Sequence, residues 1–288
     1  MHYPVMLGEC LEYLRVRPDG VFLDATAGLG GHSAAIAAQL SSGLLIANDR
    51  DADSLELCKE NTKEFAEHIR YHHGPFSKLR SVLELTGGRK LDGLLADLGV
   101  SRYQLTSPER GFSILSDGPA DMRMDRSQGV TAGDLLNAIS EKDLADLIYQ
   151  NGEERRSRKI ARAIVRARPI LTTGQLARVV ESVVPRTGRI HPATQTFQAL
   201  RMAVNEEPEE LDALLEAAPE LVSPGGRIVI LTFMSLEDRK VKHSFQALAR
   251  AGRASILTKH VVRPSEEEVR SNPPSRSAKL RALEMALP

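Results

Sequence analysis

Short apolar runs alternate with amphipathic stretches along the first third of the chain. The runs predict four β-strands, at VFLDAT (21–26), LLIAND (44–49), IRYHHG (69–74) and LDGLLADLG (91–99). The stretches between them, at 32–40, about 51–65 and 77–85, have the apolar spacing of helices. The fourth run is almost entirely apolar, which is typical of a strand buried on both faces. Repeated strand–helix units therefore predict a parallel sheet with helices on both sides.

The pattern changes between Gly99 and Asn205, where amphipathic helices and loops occur without a convincing strand. Strand-like runs return at PGGRIVILTF (224–233), ASILTKHVV (254–262) and KLRALEMAL (279–287), with a helix predicted over about 236–251. We therefore predict one α/β domain, formed by residues 1–98 and 208–288, that is interrupted by a helical insert at 99–207. Three independent modules are the alternative, but neither half of the sheet would bury its faces alone.

Composition and charge narrow the class of protein only slightly. The 288 residues include 38 basic and 38 acidic residues, so net charge indicates no particular partner. Cys10 and Cys58 fit neither a disulfide framework nor a zinc site, and we predict that both are buried. The histidines do not group with acids at metal-ligand spacing, so we expect no metal site. No apolar run reaches the ~20 residues that span a bilayer, and MHYPVMLGEC lacks the layout of a signal peptide. We therefore expect a cytoplasmic protein without a membrane partner.

A glycine-rich loop follows the first predicted strand, in DATAGLGGHS (24–33). Gly28, Gly30 and Gly31 allow close approach of the backbone to a ligand, and Asp49 ends the next strand. This layout is typical of nucleotide-binding α/β proteins, in which the acid accepts hydrogen bonds from ribose hydroxyls. Ser33 departs from the dinucleotide fingerprint, which has glycine or alanine there. A phosphate-binding P-loop is excluded because no Gly-Lys-Ser/Thr follows the loop.

S-adenosylmethionine satisfies these constraints. Asp24 stands directly before the loop, where a carboxylate suits a cationic or amine-bearing ligand rather than a pyrophosphate. The Pro-Gly-Gly turn at 224–226 precedes the fifth strand, which is the usual layout of Rossmann-like methyltransferases. His32, at the start of the helix, either donates a hydrogen bond to the ligand's carboxylate or serves only in capping and packing. An NAD-dependent oxidoreductase is the rival enzyme class, disfavoured by Ser33 and by the lack of a hydride-transfer constellation.

Several longer motifs, taken together, resemble the bacterial ribosomal RNA small subunit methyltransferase H family, also called MraW. The motifs include DATAGLGGHS, ERGFSILSDGPADMRMD, GEERRSRKIARAIV, HPATQTFQALRMAVNEE and RPSEEEVRSNPPSRSAKLR, and the resemblance covers nearly the whole chain. It implies an α/β fold: a Rossmann-like class I S-adenosylmethionine-dependent methyltransferase sheet with an inserted all-helical domain. It also implies that S-adenosylmethionine methylates the exocyclic N4 amine of one cytidine, in the decoding centre of 16S rRNA in the small ribosomal subunit.

The resemblance further implies a set of cofactor contacts, spread over the glycine loop and the ends of the predicted strands. They are Gly30, Gly31, His32, Asp49, Phe76, Asp97 and Gln104. Phe76 follows the third strand and is expected to stack beside adenine, and Asp97 ends the fourth strand at the edge where such sheets bind ligands.

The chain departs from the family pattern at positions near the expected substrate side of the sheet. Family members have two serines in DLGVSS, whereas Arg102 and Tyr103 follow Ser101 here. Gln195 replaces an arginine, and Met234 replaces a histidine. These departures leave two alternatives open. One is a paralogue that methylates a different RNA cytidine, and the other is an RNA-binding ribosome-assembly protein with a vestigial cofactor pocket.

The expected chemistry needs a group that orients the target amine, since the lone pair of a cytosine amine is delocalised into the ring. We predict that Asp97, or the backbone carbonyls after it, accepts a hydrogen bond from this amine, with little need for a strong general base. Alternatively, Asp97 only caps a turn or only contacts the cofactor. A cytidine turned out of its stack has three candidate contacts, Tyr103, Phe112 and Met124, of which Phe112 is more typical of a core residue.

Local charge in the insert predicts RNA binding. Residues 151–201 contain 11 basic and 3 acidic residues in a chain of zero net charge. One helical stripe, opposite Ile160 and Ile164, carries Arg155, Arg158, Lys159, Arg162 and Arg166. This one-signed stripe favours contact with RNA phosphates over a merely solvated face. A second group of cations near the end of the chain, Arg276, Lys279 and Arg281, either adds to RNA binding or is structural. The sequence leaves open whether the chain forms a homodimer.

The alternation of charges in DGPADMRMD (117–125) is unusual for a surface helix. Asp121, Arg123 and Asp125 occupy every second position. We therefore predict an ordered loop over the active site rather than a solvated helix face.

Overall fold

The computed structural model describes residues 4–186, 188 and 190–288. The backbone divides into two compact units, one formed by residues up to Gly99 and from Glu209 onward, the other by Val100–Pro208. Each boundary lies one residue from the predicted one.

A seven-stranded sheet forms the centre of the first unit, in the order β3-β2-β1-β4-β5-β7-β6. Its strands are β1 (Val21–Asp24), β2 (Leu44–Asp49), β3 (Ile69–His73), β4 (Leu91–Asp97), β5 (Val222–Thr232), β6 (Ala254–Ile256) and β7 (Lys279–Met285). The first five strands are parallel, β7 is antiparallel to β5, and β6 is antiparallel to β7. The predicted α/β class with a parallel sheet is therefore confirmed.

The sheet is buried on both faces, because alternate side chains of each central strand enter different hydrophobic clusters. Val21 and Leu23 of β1 belong to one cluster, and Phe22 between them belongs to the other. The same alternation holds along β5, where Ile228 and Val229 lie in different clusters. This two-sided burial explains the nearly continuous apolar runs in the sequence.

Helices cover the sheet and build the insert. They are α1 (Leu7–Leu14), α2 (Gly31–Ala37), α3 (Ala52–Asn61), α4 (Val82–Leu85), α5 (Arg102–Thr106), α6 (Ala132–Ala138), α7 (Glu141–Gly152), α8 (Ser157–Arg166), α9 (Thr173–Glu181), α10 (Thr194–Val204), α11 (Glu207–Leu221), α12 (Ser235–Arg250) and α13 (Glu266–Ser271). The described residues of the second unit contain no strand, only an isolated bridge between Pro119 and Thr172. The helical insert is therefore confirmed.

Two predicted elements differ from those observed. The strand predicted at 254–262 ends at Ile256, because the N–H groups of Leu257 and Thr258 both donate to the carbonyl of Ala282 and interrupt the ladder. The helix predicted over 77–85 is a 3₁₀ helix, Phe76–Ser81, that continues into α4.

The loop that carries Asp121, Arg123 and Asp125 is ordered from within. Arg110 is 1% exposed and donates hydrogen bonds to the carbonyls of Arg123 and Met124. The side chain of Asn205 accepts a hydrogen bond from the Met124 N–H and donates one to the Met122 carbonyl. The prediction of a loop instead of a solvated helix face is confirmed, and its position over the active site stays a prediction.

Candidate functional site

Three carboxylates lie at the carboxyl edge of neighbouring parallel strands in the first unit. Asp24 ends β1, Asp49 ends β2 and Asp97 ends β4. Strand register aligns Asp24 with Ala47 of β2 and with Leu95 of β4, so the three ends are adjacent. Ligands of open α/β sheets bind at this edge.

Asp49 closes the glycine loop against the end of β2. One of its carboxylate oxygens accepts the Gly28 N–H at 2.7 Å, and the other accepts the Asp51 N–H at 2.8 Å. Burial raises the pKa of Asp49 to about 6, against the lowering effect of these two backbone donors. Each oxygen retains a further lone pair, so the carboxylate has acceptor capacity for a pair of ligand hydroxyls.

Glycine is required at position 30 for two reasons, its backbone conformation and the lack of space for a side chain. Its φ is +88°, in the left-handed region, and a Cβ there would lie 2.9 Å from Cγ2 of Thr62 and 3.1 Å from Sγ of Cys58. The next glycine, Gly31, has Pro4 of the N-terminal segment against it, at 3.2 Å from a built Cβ. Both glycines therefore keep the loop close to its neighbours.

His32 occupies the first turn of α2 and is 5% exposed. Its Nε2 lies 3.0 Å from the carbonyl oxygen of Val5, and its Nδ1 lies 3.9 Å from Oδ2 of Asp97. The ring therefore connects the N-terminal segment with the end of β4. Its predicted contact with a cofactor carboxylate stays a prediction.

Asp97 has a strongly raised pKa. Burial raises its pKa to about 8, and the negative charges of Asp24 and Glu237 contribute to the rise. Its Oδ1 is buried and accepts no hydrogen bond from any residue in the described part of the chain. Its backbone N–H donates to Oγ1 of Thr26 at 2.6 Å. At neutral pH this carboxyl group holds a proton that a nearby cation would displace.

Asp24 is fully buried behind the glycine loop. Ser33 donates its hydroxyl to the Asp24 carboxylate at 2.6 Å, and the Thr26 N–H donates to it at 3.2 Å. Burial raises the pKa of Asp24, against lowering effects from His32 and from the hydrogen bonds of Ser33 and Thr26. Ser33, a mismatch to the dinucleotide fingerprint, is thus the hydrogen-bond partner of a buried acid.

Two acidic residues of this edge were missed by the sequence reasoning. Glu237, in the first turn of α12, accepts the N–H groups of Phe233 and Met234 directly after β5. Glu210 of α11 accepts both the Ser77 N–H and the Ser77 hydroxyl, at 3.0 and 2.8 Å. The position of Glu237 just after the fifth strand was a usable signal, whereas nothing local indicated the role of Glu210.

Phe76 starts the 3₁₀ helix that follows β3 and packs, half-buried, against a hydrophobic cluster of the sheet. The Gly74 N–H donates to the Asp49 carbonyl at 3.0 Å, which ties this turn to the end of β2. Phe76 therefore lies in a turn anchored beside Asp49, as a residue that stacks on adenine requires. The stacking itself stays a prediction.

Gln104 belongs to the second unit and is 4% exposed. Its side-chain oxygen accepts the Ser101 N–H at 2.9 Å, and Oγ of Ser101 accepts the Gln104 N–H at 3.2 Å. These two bonds form a capping box at the start of α5. The structure thus gives Gln104 a local role, and its cofactor contact stays a prediction.

The three candidates for holding a turned-out base have different environments within the second unit. Phe112 and Met124 are buried in its hydrophobic core, which removes them as stacking surfaces. Tyr103 is half-buried, with the Arg110 guanidinium 5.8 Å from its ring centroid. Tyr103 is the candidate that stays a prediction.

Four residues of the predicted basic stripe lie on the exposed face of α8, and the fifth, Arg155, lies in the turn that precedes this helix. Its opposite face buries Ile160, Ala161 and Ile164 in the core of the second unit. The exposed residues are Arg155, Arg158, Lys159, Arg162 and Arg166. Arg162 lies 3.3 Å from Glu141, and the other four have no side-chain partner among the described residues. The stripe is therefore an exposed, largely uncompensated cationic surface.

Two other basic residues of the insert, Arg168 and Arg201, have structural roles. Arg168 donates to the carbonyls of Leu136 and Ile139, and Arg201 forms a two-bond ion pair with Glu207. Arg189, which contributes to the count of 11, lies outside the described residues. α8 thus carries one group of exposed cations, and further exposed cations of the insert, such as Arg178 and Arg186, lie elsewhere.

The three C-terminal cations also differ in whether they are paired within the protein or exposed. Arg281 forms a two-bond ion pair with Asp238, and Lys279 lies 3.2 Å from the Ser235 hydroxyl. Arg276 is exposed. Of the three, Arg281 is structural.

Both cysteines are buried. In the part of the chain that the structure describes, no cluster of three or more His, Cys, Asp or Glu side chains is arranged to hold a metal ion. Over the same residues, no helix combines the length and apolar character needed to cross a bilayer.

Comparison with known proteins identifies relatives along the whole chain. The profile of the MraW methylase family matches residues 1–286. The ribosomal RNA small subunit methyltransferase H of Solibacter usitatus is 62% identical over 285 residues, covering 99% of this chain and all of that protein. The protein of the same name from Acidobacterium capsulatum is 49% identical and covers 98% of both chains.

One solved structure supports the fold alone. It is the crystal structure of a candidate rRNA-methylase from Clostridium thermocellum, with a TM-score of 0.50 and 11% identity. The match covers 99% of this chain and all of the other.

Proposed function

Because this chain belongs to the MraW methylase family, we propose that it transfers a methyl group from S-adenosylmethionine to the N4 amine of a cytidine in 16S rRNA. The target lies in the decoding centre of the small ribosomal subunit, and the protein acts in the cytoplasm. Relatives with 62% and 49% identity carry the name of a small-subunit rRNA methyltransferase. The observation that supports the chemistry most directly is the buried, unpartnered Oδ1 of Asp97 beside the glycine loop.

The residues of the carboxyl edge fit S-adenosylmethionine. Asp49 has acceptor capacity for the two ribose hydroxyls, and Phe76 begins a turn anchored beside it. A Cβ added to Gly28 would lie 3.9 Å from its nearest neighbour, the carbonyl oxygen of Thr26, so the loop leaves space at this position. Asp24 and Asp97 supply negative charge for a cationic ligand at the adjacent strand ends. When bound, the cofactor supplies an electrophilic methyl group on a positively charged sulfur.

Asp97 is the residue that we assign to the target amine. An ionised Asp97 accepts a hydrogen bond from the cytosine N4–H, which orients the amine and directs its electron pair toward the methyl group. The raised pKa of the free carboxyl group favours the protonated form, and a positive charge beside it restores the carboxylate. At neutral pH, Asp97 is therefore ionised, and able to accept a hydrogen bond from the amine, only when S-adenosylmethionine is bound.

RNA recognition is assigned to the exposed basic face of α8. Four cations on one face of α8, together with Arg155 in the turn before it, provide contacts to phosphates, which supply affinity without reading sequence. Arg side chains also form two parallel hydrogen bonds with a phosphate. The half-buried Tyr103 is a further proposed contact, to the base turned out of its stack.

A paralogue with another target cytidine is the second candidate, favoured by the departures from the family pattern. Arg102 and Gln195 are exposed, and Met234 is half-buried at the start of α12. None of the three contributes to the hydrogen bonds of the glycine loop described above. A change at these positions alters substrate choice before it alters cofactor binding.

The test uses S-adenosylmethionine labelled in the methyl group and small ribosomal subunits from cells that lack this modification. Labelled rRNA is digested with nucleases, and mass spectrometry assigns the methylated nucleotide and the methylated atom. We expect label on N4 of the decoding-centre cytidine. Cofactor affinity is measured separately by titration, with NAD as a comparison ligand.

Each other outcome contradicts a named part of the proposal. Label on a different cytidine supports the paralogue. Cofactor binding without any methylated rRNA contradicts the substrate assignment. No binding of S-adenosylmethionine supports an assembly protein with a vestigial pocket, and binding of NAD instead supports an oxidoreductase.

A further inference from the structure

A second basic stripe lies on α12, in the unit that contains the carboxyl edge. It consists of Arg239, Lys242, His243, Gln246 and Arg250. Successive members are separated by three, one, three and four positions, a spacing that places them on one face of the helix. The three Arg and Lys side chains and His243 are exposed, whereas Val241 and Phe245 on the opposite face are buried against the sheet.

The charges of this stripe are not neutralised by neighbours. In the described part of the chain, Arg239, Lys242 and Arg250 make no side-chain hydrogen bond or ion pair. Lys240, on a different face of α12, lies 2.7 Å from Asp212 of the acidic helix α11. The remaining cations of α12 therefore project away from the acids that would compensate them.

The acids of α12 are themselves engaged and lie off the stripe. Glu237 accepts the N–H groups of Phe233 and Met234 at the start of the helix. Asp238 forms its two-bond ion pair with Arg281 of β7. A protein with equal numbers of acidic and basic residues thus has a one-signed surface on this helix.

The stripe on α12 begins near the carboxyl edge of the sheet, where Asp97 lies. α12 follows β5 after a short turn, and β5 pairs with β4 so that Leu231 is aligned with Asp97. The first turn of α12 also contains Glu237, which is close enough to raise the pKa of Asp97. From Arg239 to Arg250 the helix rises about 16 Å, a distance that spans several consecutive phosphates of a nucleic acid strand.

We propose that the exposed face of α12 is a phosphate-binding surface for the rRNA strand that adjoins the target nucleotide. The occupant follows from charge complementarity and from position, since a strand with one nucleotide at the Asp97 edge continues past the first turn of α12. This inference rests on the proposed rRNA substrate and adds a contact surface separate from α8. Arg239 and Arg250 suit paired hydrogen bonds with phosphate, and Lys242 provides a point charge.

The test compares two triple variants of the full-length protein. Arg239→Gln, Lys242→Gln and Arg250→Gln together remove the charge of the stripe. Lys63→Gln, Arg89→Gln and Lys90→Gln remove the same charge from exposed residues that precede β3 and β4, at the opposite edge of the sheet. Binding to small ribosomal subunits is measured over a range of salt concentrations, together with KM, kcat and the affinity for S-adenosylmethionine.

For the stripe variant we expect the magnitude of the slope of log affinity against log salt to fall by about 2. Each of the three lost phosphate contacts accounts for about 0.7 of this change. We also expect its KM for subunits to rise by about tenfold, with kcat and cofactor affinity unchanged. The control variant should match the wild type within about twofold. A variant with Arg239→Lys and Arg250→Lys keeps the charge and should keep the salt slope, which separates phosphate binding from a folding defect.

An unchanged salt slope for the stripe variant, or equal losses in both triple variants, would overturn the inference. A photo-reactive phenylalanine analogue in place of Gln246 identifies the occupant: cross-links to 16S rRNA support the proposal, and cross-links only to ribosomal proteins overturn it. If the wild type binds subunits but methylates none, the proposed function fails, while the slope comparison still tests this surface.

Discussion

The carboxyl edge of the sheet and the exposed face of α8 represent two kinds of recognition surface. At the edge, Asp24 is fully buried and Asp97 is half-buried with a buried Oδ1, and burial raises the pKa values of both strand-end carboxyls. On α8, cations project into solvent from a helix whose other face is core. Binding at the edge depends on a few groups in low-dielectric surroundings, whereas binding on α8 is spread over many weak, screened contacts.

This difference predicts how each region responds to substitution. Loss of one buried group at the edge should cost an order of magnitude or more and should depend on pH. Loss of one cation on α8 should cost little and should depend on salt. The four variants below range from the largest expected effect to the smallest.

Replacing Asp97 with asparagine tests the carboxyl group assigned to the target amine. Asparagine keeps a carbonyl oxygen but removes the negative charge, so we expect kcat at saturating cofactor to fall by about 100-fold. The wild-type kcat/KM for S-adenosylmethionine should rise with pH toward about 8, because it reports the free enzyme, whose carboxylate fraction increases, and the variant should lose this dependence. Methyl transfer to small subunits is measured from pH 6 to pH 9. An unchanged rate would exclude a role for Asp97 in orienting the amine.

Replacing Gly30 with alanine tests the loop conformation. A side chain at φ +88° costs about 1–2 kcal/mol, and its Cβ would also approach Thr62 to 2.9 Å. We expect affinity for S-adenosylmethionine to fall by about 30-fold, measured by calorimetry. Gly8→Ala is the matched control, because Gly8 lies in α1 with no atom within 4 Å of a built Cβ. Equal losses in the two variants would contradict the special role of Gly30.

Replacing Asp49 with asparagine tests the proposed ribose acceptor. The amide has one acceptor oxygen in place of two, so it cannot accept from Gly28, Asp51 and two ligand hydroxyls together. We expect about tenfold weaker binding of both S-adenosylmethionine and adenosine. Asp53→Asn, at an exposed position of α3, is the control and should leave both affinities unchanged. A loss for S-adenosylmethionine alone would place Asp49 away from the ribose.

Replacing Arg158 with glutamine tests the distributed surface. Removal of one of five exposed cations should raise KM for small subunits by only about twofold at physiological salt and lower the salt slope by about 0.7–0.9. Lys63→Gln removes one charge from the first unit and serves as the control. A tenfold loss that is insensitive to salt would show that Arg158 makes a specific buried contact instead.

Much of the fold was predictable because the apolar runs of β1, β2 and β4 must be buried on both faces. The acids that end these strands indicated the carboxyl edge as the ligand site, since parallel strands end together there. The α8 stripe was predictable for a related reason, because its charges alternate with Ile160 and Ile164 at helical spacing.

Other features depended on contacts between residues far apart in the chain. The bond from Ser77 to Glu210 joins positions 133 residues apart, and the Thr26 hydroxyl reaches the Asp97 N–H across 71 residues. The end of β6 at Ile256 follows from two donors that share the Ala282 carbonyl, which no local pattern indicates. The capping bond of Gln104, in contrast, is local, since its partner Ser101 lies three residues away.

The most direct test of this account is a pair of titrations at several pH values. S-adenosylmethionine and S-adenosylhomocysteine share the adenosine and amino-acid groups, and only the former has a positive sulfur. Because burial raises the pKa of Asp97 to about 8, a cation beside it expels a proton below that pH. The preference for S-adenosylmethionine should therefore rise with pH, by up to about tenfold per unit, and level off above about pH 8. The Asp97→Asn variant should show a constant preference. A constant preference in the wild type would contradict the placement of Asp97 beside the methyl donor.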